Sequence, residues 1–339
     1  MHEVFFLVSD GQLSFEQSML RQAYAKVHGL GDRLVFIKEV IDWERFRPII
    51  ASVYHDNKET GGRPHTDELV LARSFALQHL YNLSDEELEF QLADRLSFKN
   101  FIGFTENVPD YSTFWYARER LQKAGVDKRI WNELQRQLDE KGYKAKKGSI
   151  QDASFVAADA GRKRQYKEKQ AKKNGEKIEY TPRQLSHIDK DGSFAVKQGQ
   201  VHYGYKNHVK LDVKHKLIRK IKSTTASMHD AKISLATKAD WKMYRDKGYF
   251  GTTLPHGVFD KTMDRATRGH PLTEKQKERN HKISQIRCQG ERPFGVIKRT
   301  LNGGFTYVKT LARVSIKEMF KCFAFDLYQL VTLEKKRLA

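Results

Sequence analysis

Along roughly the first 140 residues the apolar positions recur at helical spacing. In "TDELVLARSFALQHLYNLSDEELEFQLADRLSFKNFIGF", Ser84 is placed to cap a helix, and Glu87 can reach back to it in a capping box. Leu88, Leu92 and Leu96 then follow at four-residue intervals on one face. "NVPDYSTFWYARERLQKAG" turns at Pro109 and Asp110 and starts a second helix, with Ser112 as the expected cap. Phe114, Ala117 and Leu121 form its inner stripe, and Arg118 and Arg120 are expected to face outward. Helix, turn and helix with basic outer residues fit a DNA reader of the helix-turn-helix kind. They fit a plain helical bundle equally well.

After "KGYKAKKGS", a basic, glycine-punctuated linker at 141–149, the period changes. "SIQDASFVA" predicts a strand around Ile150 to Val156. "HYGYKNHVKLDV" and "KLIRKIKST" alternate as two further strands, joined through "KHK" as a hairpin. "HDAKISLATKADW" carries the cap and stripe of a helix, "KMYRDKGYFG" reads as a strand ending in a glycine turn, and helices resume from about Glu274. Between the first two strands lies an insert at about 157–200, rich in Lys and Arg and poor in apolar residues. It is expected to be a mobile loop, ordering on phosphates or simply solvated. The order of elements is a mixed α/β layer with antiparallel strands first.

Charge narrows the class of partner. The chain has 62 Lys plus Arg against 42 Asp plus Glu, a net of +20, which attracts polyanions, nucleic acid first among them. No apolar run is long enough for a membrane span. The opening "MHEVFFLVSD" falls short of a secretion signal. Cys288 and Cys322 offer neither a disulfide framework nor a zinc spacing. The expectation is a soluble, cytoplasmic protein.

Carboxylates decide between binder and enzyme. Asp152 falls inside the first strand, Asp246 at the end of the fourth predicted strand, and Glu291 in the later helix. In "RCQGERPFGVIKR", Arg287, Glu291 and Lys298 share one helical face. Three converging acids repel one another unless divalent cations join them, and oxygen-rich sites suit Mg²⁺ or Mn²⁺. Spacing alone leaves competitors, namely Asp159, Asp212 and Asp230.

The motifs "QDASFV", "HYGYKNHVKLDVKHKLI", "TTASMHD", "RDKGYFG" and "RCQGERPFGVIKR", in that order, resemble the DDE-class insertion-sequence transposases, in the branch named insertion-sequence family five. "GRPHTDELVLARSFALQHLYNLSDEELEFQLADRLSFKNFIGF" and "VPDYSTFWYARERL" resemble the helical domain that precedes catalysis in that family. The resemblance implies a ribonuclease-H-like catalytic domain, a mixed sheet flanked by helices, at 150–335. An all-α DNA-binding domain at 1–140 would precede it. It implies that Asp152, Asp246 and Glu291 are catalytic and hold two Mg²⁺ or Mn²⁺ ions. The partners implied are DNA, as terminal inverted repeats and target, and a second copy of the chain in a homodimer joining two ends. The setting implied is the cytoplasm of a prokaryote, at the nucleoid.

The related Y-x2-R-x3-E-x6-K signature matches at Arg287, Glu291 and Lys298, with Ser284 where its tyrosine stands. Gln151 occupies a position where an apolar residue is usual, and needs a partner. Arg287 and Lys298 are expected on DNA phosphates, with Pro293 and Gly295 bending or restarting the helix just after Glu291. Arg118, Arg120, Arg162, Lys163, Arg164 and Lys206 are further expected DNA contacts. His229 and Asp230 could reach the site, although a helix cap is the simpler role for Asp230. Tyr203, Tyr205, Tyr249 and Phe250 either stack on an unpaired base or pack the strands.

Overall fold

The structure, a computed structural model, describes residues 15–54, 64–105, 107–176, 178–197 and 199–338. Its first part is helical: α1 (Phe15–Gly29), α2 (Arg33–Val40), α3 (Arg47–Ala51), α4 (Glu68–Tyr81), α5 (Asp85–Asp94), α6 (Leu96–Ile102), α7 (Tyr111–Lys123) and α8 (Asp127–Glu140). Asp67 starts α4 by accepting from the amides of Leu69 and Val70. Nearly every residue of α4 is buried, as expected of a central helix with no solvent face.

Ser84 caps α5 by accepting from Glu87 N at 3.1 Å, but Glu87 does not reach back, its carboxylate taking the Gln91 side chain instead. Leu96 leaves the expected stripe because the chain is extended at Arg95 and a new helix begins there. Asp110, not Ser112, caps α7, accepting from Thr113 N at 2.6 Å. Phe114, Ala117 and Leu121 are buried as their spacing predicts.

The second part opens with β1 (Ser149–Ala158) and continues through α9 (Arg162–Lys173), α10 (Pro182–Ser186), β2 (Ser193–Lys197), β3 (Gln200–Asp212) and β4 (Ile218–Thr225). After them come β5 (Lys242–Arg245), β6 (Phe259–Thr262), α11 (Glu274–Arg287), α12 (Glu291–Arg299), β7 (Phe305–Thr306) and α13 (Leu311–Leu338). The sheet runs β2–β3–β1–β5–β6, with β4 also on β3 and β7 on β1. β1 is antiparallel to β3 and parallel to β5, which is parallel to β6. This is the mixed, antiparallel-first sheet flanked by helices that a ribonuclease-H-like fold requires. No described helix is long and apolar enough to cross a membrane.

Two further expectations fail, each for a physical reason. The insert is not a bare loop: its Lys, Gln, Glu and Ala residues are good helix formers and make α9, and β2 finds its hydrogen bonds on the edge of β3. "HDAKISLATKADW" is not a helix beyond a single turn at Asp230–Lys232. Buried Gln151 on β1 claims the chain instead, donating to Ile233 O at 2.6 Å and accepting from Leu235 N at 3.0 Å. The same pair of bonds supplies the partner Gln151 needed.

Helical and sheet parts share one hydrophobic core. Phe320 of α13 lies 5.1 Å from Phe75 of α4, ring centre to ring centre, and Phe323 lies 5.9 Å from Phe46. Asp326, fully buried on α13, accepts from Ile218 N of β4 at 2.8 Å and from the Gln135 side chain of α8 at 3.1 Å. Burial pushes its carboxyl up to about 8. Tyr143, in the expected linker, is buried and donates to Glu334 Oε1 at 2.6 Å.

Candidate active site

Side chains alternate along a strand, so Ile150 and Asp152 share one face of β1, as do Tyr244 and Asp246 at the end of β5. The parallel register sets Ile150 beside Tyr244. Two residues beyond that pair, Asp152 on β1 and Asp246 just past the end of β5 lie near enough for the Asp246 charge to act on Asp152.

Asp152 Oδ1 accepts from Ala153 N at 2.9 Å, and Oδ2 takes Arg287 Nη1 at 3.0 Å. Burial pushes the Asp152 carboxyl up to about 6. Arg287 and the Ala153 amide pull it back, Asp246 adds to the rise, and Lys197 opposes it. Asp246 caps the turn Lys247–Tyr249 through Oδ1, which accepts from Gly248 N at 2.8 Å.

Glu291 opens α12 with its side chain 66% exposed, and its Oε1 lies 3.4 Å from Arg287 Nη2. Arg287 thus bridges Asp152 to Glu291, while its own Nε is buried without a partner. The helix breaks before Glu291, at Cys288–Gly290, and not just after it. A Cβ on Gly290 would lie 2.8 Å from Ile150 Cγ2, so glycine lets the break press against β1 two residues from Asp152. Pro293 sits in the first turn of α12, where its missing N–H removes no helical bond.

Lys298, exposed on the same helix, is lowered below the ordinary lysine value by partial burial and then by the charge of Lys197. Lys197 ends β2 at the tip of the β2–β3 hairpin. β3 turns at Gly204, where φ is +131° and a Cβ would meet Val156 O at 2.4 Å. The hairpin is thereby folded over β1, and His202 stacks on Phe155 with ring centres 4.2 Å apart. That fold brings the Lys197 charge to bear on both Asp152 and Lys298. Sequence reasoning missed Lys197, whose only signal was a place among many insert lysines.

Two other expected contacts, Arg118 and Lys206, are already spent. Arg118 does not face outward: it is half-buried, and its guanidinium is taken by Asp85 and by Gln78 Oε1. Lys206 is buried on the face opposite Asp152, donating to Met228 O at 2.8 Å and Asp230 Oδ1 at 2.9 Å. Arg120 is exposed, 5.1 Å above the Tyr54 ring. The side chains of Arg162, Lys163 and Arg164 lie outside the described residues.

His229, not Asp230, caps its short turn. Tyr205 and Tyr249 are buried packing residues and Tyr203 pairs with Phe194, whereas Phe250 is 51% exposed beside the Asp246 turn. Of the competing acids, Asp212 holds the β3–β4 turn through the amides of Lys214, His215 and Leu217, and Asp159 holds that of Gly161.

Among the described residues, no three His, Cys, Asp or Glu side chains stand together as a ready ligand set for a metal. Asp152 and Asp246 nevertheless supply the carboxylate oxygens a hard divalent cation takes. The Arg287 guanidinium stands in for such a cation between Asp152 and Glu291. The donor chemistry of Asp152 and Asp246 is that of a hard divalent cation's ligands, and Glu291, held on Arg287, is the third carboxylate nearest them along the chain of contacts.

Two family models match the chain in sequence. Residues 21–120 match a Transposase domain (DUF772), and residues 143–327, more than half of the length, match a Transposase DDE domain. No solved structure matches. With the mixed sheet in place and both models matched in order along it, the chain belongs to the DDE transposases of insertion sequences.

Proposed function

We propose that this transposase binds the terminal inverted repeats of its own element, cuts the strand at each end, and joins the freed 3′-hydroxyls to target DNA. The observation that carries the reading is the nearness of Asp152, on β1, to Asp246, just past the end of β5, with Glu291 linked to Asp152 through Arg287. Asp152, Asp246 and Glu291 would hold the two divalent cations. Such cations, when bound, polarise the attacking oxygen and neutralise charge on the leaving one during in-line displacement.

The chain's own residues do the rest. Lys298 lies near Glu291 and suits phosphate oxygens, and Arg287, now shared by Asp152 and Glu291, would turn its planar fork to them where cations replace it on those acids. Lys197 adds a third cation from the folded hairpin. Arg120 and the insert residues Arg162, Lys163 and Arg164 extend the DNA contacts. Arg118 and Lys206, spent on Asp85 and Asp230, are left out. In joining, the end's 3′-oxygen gives up its proton and bonds to a target phosphorus. That phosphorus releases the target strand's own 3′-oxygen, which takes up a proton, so phosphodiesters are conserved in number. Two ends must react together, which calls for a homodimer in the joined complex.

The test is strand cleavage of labelled DNA bearing the element's ends, with Mg²⁺ and with Ca²⁺. Mg²⁺-dependent nicking at the ends, abolished in Asp152→Ala with binding retained, is expected. Tight, salt-sensitive binding with no cut under either ion would instead make the chain a non-catalytic DNA binder.

A further inference from the structure

A groove of about 380 Å³ runs between α11 and the β5–β6 edge of the sheet. Its lining includes Lys242, Lys261, Lys275, Arg279 and Lys282, against a single acid, Glu278. Glu278 pairs with Lys282 at 2.6 Å, and Arg279 pairs with Asp264 at 2.8 Å. Lys242, Lys261 and Lys275 have no carboxylate partner among the described residues. Lys242 Nζ lies 3.8 Å over the Trp241 ring. Trp241 and Phe259, at the mouth of the β5–β6 pair, are 51% and 58% exposed. Cations without a carboxylate partner, beside exposed rings, suit a nucleic-acid backbone and its bases.

The groove also leads somewhere. Lys242, Tyr244 and Asp246 alternate onto one face of β5, so its floor reaches the catalytic pair within about 13 Å. Its wall, α11, ends at Arg287 on Asp152. The approach is on the β6 side of the acids, whereas Lys197 comes from the hairpin of β2, at the other edge of the sheet. In-line attack puts the entering and leaving oxygens on opposite sides of the phosphorus, and the joining step brings two duplexes to one set of acids.

We propose that the α11/β5–β6 groove holds the target duplex by its phosphates while the element's end occupies the hairpin side. The proposal rests on the transposase reading above, and the experiment separates the two. Lys242→Gln, Lys261→Gln and Lys275→Gln, singly and together, are made in the full chain, and thermal melting checks that each variant is folded.

Binding to a duplex lacking the end sequence is followed against salt. Its log–log slope should shrink by about 0.9 for each phosphate contact removed. Joining of pre-nicked ends to a plasmid should fall at least about tenfold in the triple variant, while nicking of intact ends stays within about twofold. An unchanged salt slope in all variants would mean the groove holds no DNA. Nicking that falls in step with joining would assign the groove to the element's own end, and either result overturns the proposal. Should the wild-type chain nick no end at all, the transposase reading fails, and the salt slope still reports on the groove.

Discussion

As a proposed cation ligand, Asp152 would meet two opposed demands, to be buried among strands and to be ionised beside a cation. Burial raises it to about 6, above the ordinary aspartate value of about 3.9. Ionisation therefore costs the fold, and the associated stability, present at low pH, is lost as pH climbs from about 4 through about 6. Cation binding has the opposite sign, because the proton competes for the same oxygens. Ca²⁺ titrated calorimetrically into the DNA-free protein should bind about tenfold more weakly at about pH 5 than at about pH 7.5. Equal affinity at both would remove Asp152 from the cation site. The three acids could be nominated from the sequence because their motifs stand in family order. The fates of Arg118, Lys206 and Lys197 were not legible. Whether a cation is spent on a carboxylate or left for a phosphate depends on what folding brings beside it, and Asp85 lies 33 residues from Arg118.

At the scale of elements, period alone announced β1, β3, β4 and α11. It failed where a side chain replaces a backbone partner, as Gln151 does for the segment after Asp230. It failed again at the break before Glu291. Gly290 has an ordinary helical backbone, φ −71° and ψ −16°, and is needed for space against Ile150 alone, a requirement invisible in sequence. Gly290→Ala should cost about 1–3 kcal/mol by overpacking. It should also reduce end cleavage by pushing Glu291 away from Asp152, with DNA affinity retained. Ile150→Leu, which lacks the Cγ2 methyl, should recover part of both losses in a double-mutant cycle. Strictly additive losses would show that the contact does not set the position of Glu291.

For the molecule as a whole, the change from helices to strands near residue 140 was plain in the sequence, and the core that spans it was not. Trp43, Phe46 and Phe75 from the helical part meet Phe320 and Phe323 of α13. Phe323→Ala should cost about 3–5 kcal/mol and lower the melting of helical and sheet parts together. Separate transitions in calorimetry would contradict a shared core. This closure also governs the order in which the protein is made. α4 leaves the ribosome before any strand of the sheet, but the rings that cover it belong to α13, made after all of them, so for the tens of seconds that synthesis of the intervening strands takes the early helices hold an unfinished interior. A message broken before α13 consequently releases helices with no finished interior, and so no folded fragment to compete with the full chain.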